Sequence, residues 1–279
     1  MNYIEITFDL QPKAPWSEIL TAYLSELDFE SFVDTERGFS AYIKEDLFDQ
    51  VLFDELPLIS VSPNDVKLSY KKRTIPAQNW NASWESSFDP VIIGGELAIV
   101  APFHTHVQAT QLKIIIEPKM SFGTGHHQTT RLMSKALLDF KEIPKRVLDM
   151  GCGTGVLAIL AEQLGAAQIL AVDVEEWAVE NAIENTRRNN CQHITVELGN
   201  SANISGKSFD LILANINKNV LKADILNYSS CLESNGKLML SGFFTSDNSE
   251  LLELAENCNL ALLKNYSEDN WSCLLLVKN

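Results

Sequence analysis

Three glycines in five residues, Gly151, Gly153 and Gly155, follow the run Val147-Leu148-Asp149-Met150 and precede Val156-Leu157. An apolar strand that enters a glycine-rich turn and leaves as a helix offers a ligand free backbone N–H groups with no Cβ in the way. Eighteen residues past Gly155, the run Ile169-Leu170-Ala171-Val172 ends in Asp173. A backbone cradle with a carboxylate on the next strand end suits a nucleoside, the acid accepting from the ribose hydroxyls. A further strand, Phe209 to Ala214, ends in Asn215. Ligands of open α/β sheets lie outside the carboxyl ends of the strands. Asp149, Asp173 and Asn215 are therefore expected around one site.

The elements that must position these residues alternate strand and helix from about Val147 to the end. Val156, Leu157, Ile159, Leu160 and Leu164 line a helix that stops at Gly165, and Trp177, Ala178 and Ala182 mark the helix after Asp173. Strands follow around Ile194-Thr195-Val196, Phe209–Ala214 and Lys237–Ser241, with helices near Val220–Ser229 and Glu250–Ala255. Two closing strands, Ala261–Asn265 and Ser272–Val277, form a hairpin, hence an antiparallel edge on a parallel sheet. Upstream, Gly123-Thr124-Gly125 is a second glycine turn before a helix, which Thr129 and Thr130 can cap. Both turns can close on one ligand.

The first 72 residues read differently. Ile4, Ile6, Phe8 and Leu10 alternate as in a half-covered strand, Pro15 opens a helix carrying Leu20, Leu24 and Leu27, and strands Ser31–Thr35 and Phe39–Ile43 follow. A helix over Asp46–Leu56 and a strand Val66–Tyr70 complete β-α-β-β-α-β, a small ferredoxin-like α+β domain with no clustered catalytic residue types. Residues 73–90 read as a linker in which Trp80 and Trp84 lie four apart on one face of a helical turn, and 91–279 as the nucleoside-binding domain. Between strands Leu97–Ala101 and Leu112–Ile116 sits a Phe103-His104-Thr105-His106 turn. With no further ligands in view, its histidines read as solvated turn residues and no metal is expected.

Charge and composition bound the partners. The net charge of −15 argues against a general nucleic-acid binder. Residues 1–70 hold fourteen acidic and four basic side chains, so −10 of the −15 falls on this quarter. Such a module either recruits a basic partner or serves solubility. No run of eighteen apolar residues spans a membrane. Five scattered cysteines and the absence of a signal-type start fit a cytoplasmic protein.

The dinucleotide fingerprint G-x-G-x-x-G/A requires a small sixth residue: counting from Gly151 gives Val156, which does not fit, and counting from Gly153 places Gly155 correctly but gives Ala158, only an alanine match. Asp-x-Gly-x-Gly-x-Gly instead resembles the turn of class I S-adenosylmethionine-dependent methyltransferases, whose seven-stranded Rossmann-like sheet ends in an antiparallel strand. A narrower resemblance covers essentially the whole chain. The ferredoxin-like start, the tryptophan-bearing linker, the segment Glu117-Pro118 to Phe122-Gly123-Thr124-Gly125-x-His127-x-Thr129-Thr130, the tip Ala214-Asn215-Ile216 and Leu240-Ser241-Gly242 are similar to the ribosomal protein L11 methyltransferase (PrmA) family. Glu117, Lys119, Gln128 and Asn217-Lys218-Asn219 depart from that family's pattern. The resemblance implies cofactor contacts at Thr130, Gly151, Gly153, Asp173 and Asn215, with Asn215 also aligning the acceptor amine. It implies methyl transfer to lysine ε-amines, and to an N-terminal amine, of ribosomal protein L11. Two alternatives stand: a class I methyltransferase acting on another protein, RNA or a small molecule, and a non-catalytic adenosyl-binding module that recruits a ribosomal protein. His126 and His127 are base candidates, with structural loop roles as the plainer reading.

Overall fold

A computed structural model describes residues 2–60, 65–76, 84, 85, 87–107 and 110–279. The chain divides into two compact units, Met1–Ser87 and Phe88–Asn279. The helical-turn reading of Trp80 and Trp84 falls largely outside the described residues.

The first unit is a four-stranded antiparallel sheet in the order β2-β3-β1-β4, made of β1 (Tyr3–Gln11), β2 (Ser31–Asp34), β3 (Gly38–Lys44) and β4 (Lys67–Ile75). Alternation in β1 turns Ile4, Ile6, Phe8 and Leu10 to one side, where they meet Leu20 and Leu24 of α1 (Trp16–Ser25) and Phe53 of α2 (Gln50–Asp54). Rings 5.1 Å apart (Phe8 and Phe39) and 6.2 Å apart (Phe8 and Phe53) fill the centre. The helix expected over Asp46–Leu56 is shorter. Asp49 caps α2, accepting from Val51 N–H at 2.7 Å, and Pro57 opens a separate turn, α3 (Pro57–Ser60). The last strand is longer than its apolar core suggests. Lys71, Lys72 and Arg73 lie within β4, where Arg73 pairs with the buried Glu5. That pairing holds a basic run in a strand although its side chains are exposed.

The second unit begins with a small sheet of β5 (Val91–Ile93), β6 (Leu97–Val100) and β7 (Leu112–Ile115). β6 and β7 pair in parallel, so the histidine-bearing stretch between them is a crossover and not a turn joining antiparallel strands. α4 (Gln128–Leu138) follows and leads into the main sheet, whose strands are β8 (Arg146–Met150), β9 (Gln168–Asp173), β10 (Ile194–Leu198), β11 (Phe209–Asn215), β12 (Leu232–Phe244), β13 (Leu260–Glu268) and β14 (Trp271–Lys278). The order is β10-β9-β8-β11-β12-β14-β13, parallel up to β12, with β14 antiparallel between β12 and β13. This is the seven-stranded Rossmann-like arrangement expected from the sequence.

Both faces of the sheet are covered, which is why its strands read as continuous apolar runs. Val147, Leu211, Leu213 and Cys273 face α4 and α5 (Val156–Gln163). Leu148, Ile212, Leu240 and Leu274 face α7 (Lys218–Cys231) and α8 (Asn248–Asn257). The helix between β9 and β10 is α6 (Glu176–Arg188). No helix among the described residues is long and apolar enough to cross a membrane.

Candidate functional site

At the carboxyl ends of β8, β9 and β11 lies a cavity of about 320 Å³, within the size range of small-molecule sites. Gly151, Gly153, Asp173 and Asn215 all line it. A larger, more open cleft of about 670 Å³ in the first unit is lined by mixed charges such as Asp9, Lys13, Glu36 and Arg37. It has no glycine turn and, among the described residues, no orphaned buried polar atom, so size does not decide between the two.

The glycine turn is shaped by protein as much as by a ligand. Gly153 has φ +53°, and a Cβ there would sit 2.2 Å from the carbonyl oxygen of Phe122. Thr154 straps the same loop down: its N–H donates to Phe122 O at 2.9 Å and its hydroxyl to Gly123 O at 2.7 Å. The second glycine turn thus docks on the first and places Phe122, 49% exposed, on the cavity wall. A Cβ on Gly155 would meet Ala182 of α6 at 3.3 Å. A Cβ on Gly151 would lie 2.2 Å from Ile216 Cγ2, so all three glycines admit neighbouring chain, and the reading that they only clear space for a ligand is too broad.

Asp173 sits at the tip of β9, nearly buried, with Oδ2 accepting from Gly153 N–H at 2.8 Å and Oδ1 from Glu175 N–H at 3.1 Å. It does not cap α6, because Glu175 holds the cap position. Each carboxylate oxygen keeps a second lone pair for a donor in the cavity. Asn215 ends β11, and its Oδ1 is buried with no partner among the described residues. An orphaned acceptor of this kind costs about 1–3 kcal/mol unless a ligand donor satisfies it.

Thr130 behaves otherwise. It is fully buried in the first turn of α4, away from the cavity lining, and its hydroxyl is also unpartnered. Neither Thr129 nor Thr130 caps the helix. His127 does, accepting from Thr129 N–H at 3.2 Å, since its imidazole reaches the exposed N–H groups while the threonines already lie inside the helix. His127 is held below the usual histidine range by burial and by nearby Arg131, so it is neutral at pH 7 with Nδ1 engaged. His126 places Nε2 2.9 Å from Asp89 O. Both loop histidines hold structure, and neither lines the cavity. His104 likewise contacts backbone through both ring nitrogens, accepting from Ala101 N–H at 3.0 Å and lying 2.5 Å from Phe88 O.

Sequence reasoning missed part of the wall. Val174 and Trp177 follow Asp173 and are 64% and 46% exposed, lining the cavity although Trp177 reads as a helix-packing residue. After β10, Ser201 donates to Asp224 at 2.7 Å, and both line the cavity. The rule that ligands sit at carboxyl strand ends would have found Val174 and Ser201, but not Asp224, which lies inside α7.

Under the turn, Asp149 is 1% exposed and accepts from Ala158 N–H at 3.1 Å, tying the start of α5 to β8. Burial pushes its pKa up to about 7, and the Asp173 carboxylate adds to the rise. A carboxyl raised on folding contributes stability that is intact below its unfolded value near 4 and is lost as pH rises through about 7. Asp149→Asn keeps the acceptor for Ala158 without ionising. Relative to the native chain, its stability should rise by about 2–4 kcal/mol between pH 4 and pH 7.5, read from urea midpoints. A difference that stays flat over this range would mean that Asp149 does not titrate there.

The family model for ribosomal protein L11 methyltransferase (PrmA) matches residues 19–279. The chain belongs to the ribosomal protein L11 methyltransferase family. Members named as such are similar over nearly the whole length: one from Phocaeicola vulgatus is 38% identical, covering 99% of each chain. One from Porphyromonas gingivalis is 40% identical, covering 98% of this chain and 97% of its own. Among solved structures, a ribosomal protein L11 methylase from Lactobacillus delbrueckii subsp. bulgaricus is 27% identical with a TM-score of 0.64, over 69% of this chain and 100% of its own. The fold is thus the class I methyltransferase fold, and the chain is a methyltransferase.

The chain's departures from the PrmA family pattern each find a local partner. Glu117 pairs with Arg188 at 2.9 Å, and Lys119 pairs with Glu184. Gln128 donates to Asp269 at 3.2 Å. Asn217 caps α7, accepting from Val220 N–H at 3.2 Å, and Lys218 pairs with Asp247 at 2.8 Å.

Proposed function

We propose that this chain transfers methyl groups from S-adenosylmethionine to lysine ε-amines of ribosomal protein L11, and to its N-terminal amine, in the cytoplasm. The observation that carries the reading is the convergence of Asp173, the glycine turn and the orphaned Asn215 Oδ1 on one cavity of adenosyl size. Asp173 would take the ribose hydroxyls, Gly151 and Gly153 would run under the amino-acid end, and Asn215 would face the reacting groups. Thr130 lies outside the cavity lining, so a cofactor contact from it rests on the family resemblance alone. S-adenosylmethionine supplies an electrophilic methyl group when bound there.

The acceptor must arrive as a neutral amine. Lysine titrates near ~10.4, so presenting the free base at pH 7 costs about 4.6 kcal/mol, from roughly 3.4 × 1.36. Burial in the cavity disfavours the ammonium and reduces that cost. Asn215 Oδ1 is placed to accept one amine N–H and so aim the nitrogen lone pair. Among the described residues the candidate bases are already engaged: His126 and His127 hold the loop, Asp173 accepts from Gly153 and Glu175 N–H, and Asp224 accepts from Ser201. Asn215→Ala should slow single-turnover methyl transfer about 10–100-fold at saturating cofactor, the loss of one aligning hydrogen bond. An unchanged single-turnover rate would remove Asn215 from this role.

The first unit would capture the substrate. Ribosomal proteins that contact nucleic acid carry basic surfaces, which complement an acidic module and gain in encounter rate from it. The family name of the relatives supports ribosomal protein L11 over the rival substrates, and the negative charge weighs against free RNA.

A further inference from the structure

One feature beside the cavity is not absorbed by cofactor binding. From Phe122 on the cavity wall a row of rings runs outward along the carboxyl ends of the strands. Phe122 to His127 is 5.1 Å between centroids, His127 to Trp271 is 4.6 Å, and Trp271 to Phe244 is 4.2 Å. Its two ends are open, Phe122 at 49% and Phe244 at 48% exposed, while Trp271 is half-buried. Apolar rings left in water at both ends, beside a cavity, mark a surface meant to be covered.

The row is held rigid. Arg131 in the first turn of α4 pairs with Glu268, and Gln128 donates to Asp269 at 3.2 Å, so the β13–β14 turn is stapled to α4. Thr245 N–H donates to Asn270 O at 2.7 Å, fixing the end of β12 to the same turn. The row also borders the reacting end of the site: Asn215 is paired across the sheet with Ser241, three residues before Phe244. The neutral state of His127 keeps the row from repelling a cation. Lys218, at the start of α7, is neutralised by Asp247 at 2.8 Å and Glu250 at 3.4 Å.

We propose that Phe122, His127, Trp271 and Phe244 form the channel that seats the acceptor lysine, its alkyl stem lying on Trp271 and Phe244 and its amine passing Phe122 toward Asn215. A lysine has an apolar stem and a cationic tip, and ring faces serve both: the methylenes by burial, the ammonium by cation–π attraction. A flexible stem laid on a fixed row loses its freedom before the reaction, which is how orientation lowers a barrier. The assignment rests on the lysine methyltransferase reading above.

Two measurements test it separately from that reading. With purified ribosomal protein L11 as substrate, Trp271→Ala and Phe244→Ala should each lower kcat/KM at least tenfold. The affinity for S-adenosylmethionine by calorimetry should stay within twofold, and Trp271→Phe should restore most of the loss. Variants with kcat/KM within twofold of the native enzyme would overturn the channel, as would a parallel loss of cofactor affinity. The second measurement needs no protein substrate. Titrating the native enzyme with n-butylammonium in the presence of S-adenosylhomocysteine should shift the Trp271 indole N–H resonance saturably, and Phe244→Ala should weaken that response. A saturable shift without methylation of ribosomal protein L11 would keep the channel and reject the named substrate; no shift would reject the channel.

Discussion

Asp173→Ala should weaken S-adenosylmethionine binding about 10²- to 10⁴-fold while the chain stays folded. Hydrogen bonds to a charged acceptor contribute roughly 1.5–3 kcal/mol each, and two ribose hydroxyls would be lost together. At about 1.4 kcal/mol per tenfold, that sum gives the stated range. Part of the loss will act through the turn, because Asp173 also accepts from Gly153 N–H at 2.8 Å and Glu175 N–H at 3.1 Å. Asp173→Asn separates the two effects. It keeps the volume and one acceptor oxygen, so it should bind more tightly than the alanine variant and more weakly than the native chain. Calorimetry with a melting curve for each variant reads both. If Asp173→Ala bound the cofactor within threefold of the native enzyme, the ribose assignment would be wrong.

Removing residues 1–87 should sharply lower kcat/KM for methylation of ribosomal protein L11 and leave cofactor affinity within about threefold, under half the roughly 1.4 kcal/mol of one decade. The prediction rests on how the cores are composed. Among the described residues, the first unit's core runs from Ile4 to Leu68, and the two core clusters of the second unit draw on none before Val91. The excised unit carries fifteen acidic and seven basic side chains, a net −8, so the Lys71-Lys72-Arg73 run within β4 offsets some of the acid counted up to residue 70. Its loss should show chiefly as a raised KM for the protein substrate, with a salt dependence that disappears in the truncated chain. Joint loss of cofactor binding and methylation would show that the unit supports the cofactor site itself.

Much of the fold is legible in the sequence because burial writes periodicity. Ile4, Ile6, Phe8 and Leu10 alternate because one face of β1 is covered. Val147-Leu148 and Leu211-Ile212-Leu213 run unbroken because two layers of helices cover both faces of the main sheet. Strand order follows less directly from pattern, yet the closing hairpin announces its antiparallel edge. What pattern does not carry is the identity of neighbours. Arg73 reads as the start of a linker until Glu5 is seen beside it within β4. Thr129 and Thr130 look like caps until the backbone puts His127 at the boundary. Leu97–Ala101 and Leu112–Ile116 look like strands joined by a simple turn until their register proves parallel.

The site shows the same division. Asp173, Gly151, Gly153 and Asn215 are readable because strand-end position and residue type suffice. The reason Gly153 must be glycine is not, since it depends on the carbonyl of Phe122, thirty-one residues upstream. Nor is the ring row readable, for its members come from the Phe122 loop, the start of α4, the end of β12 and the start of β14. Only the folded chain brings them into line.

The central claim is that this enzyme moves a methyl group from S-adenosylmethionine to lysine on ribosomal protein L11. The most direct measurement is incubation of the purified enzyme with purified ribosomal protein L11 and radiolabelled S-adenosylmethionine, followed by mass spectrometry of the product peptides. The expected result is label in the protein, mass increments of whole methyl groups on lysine-containing peptides, and none with Asp173→Ala at a cofactor concentration near the native Kd. Cofactor binding without any label in ribosomal protein L11 would contradict it.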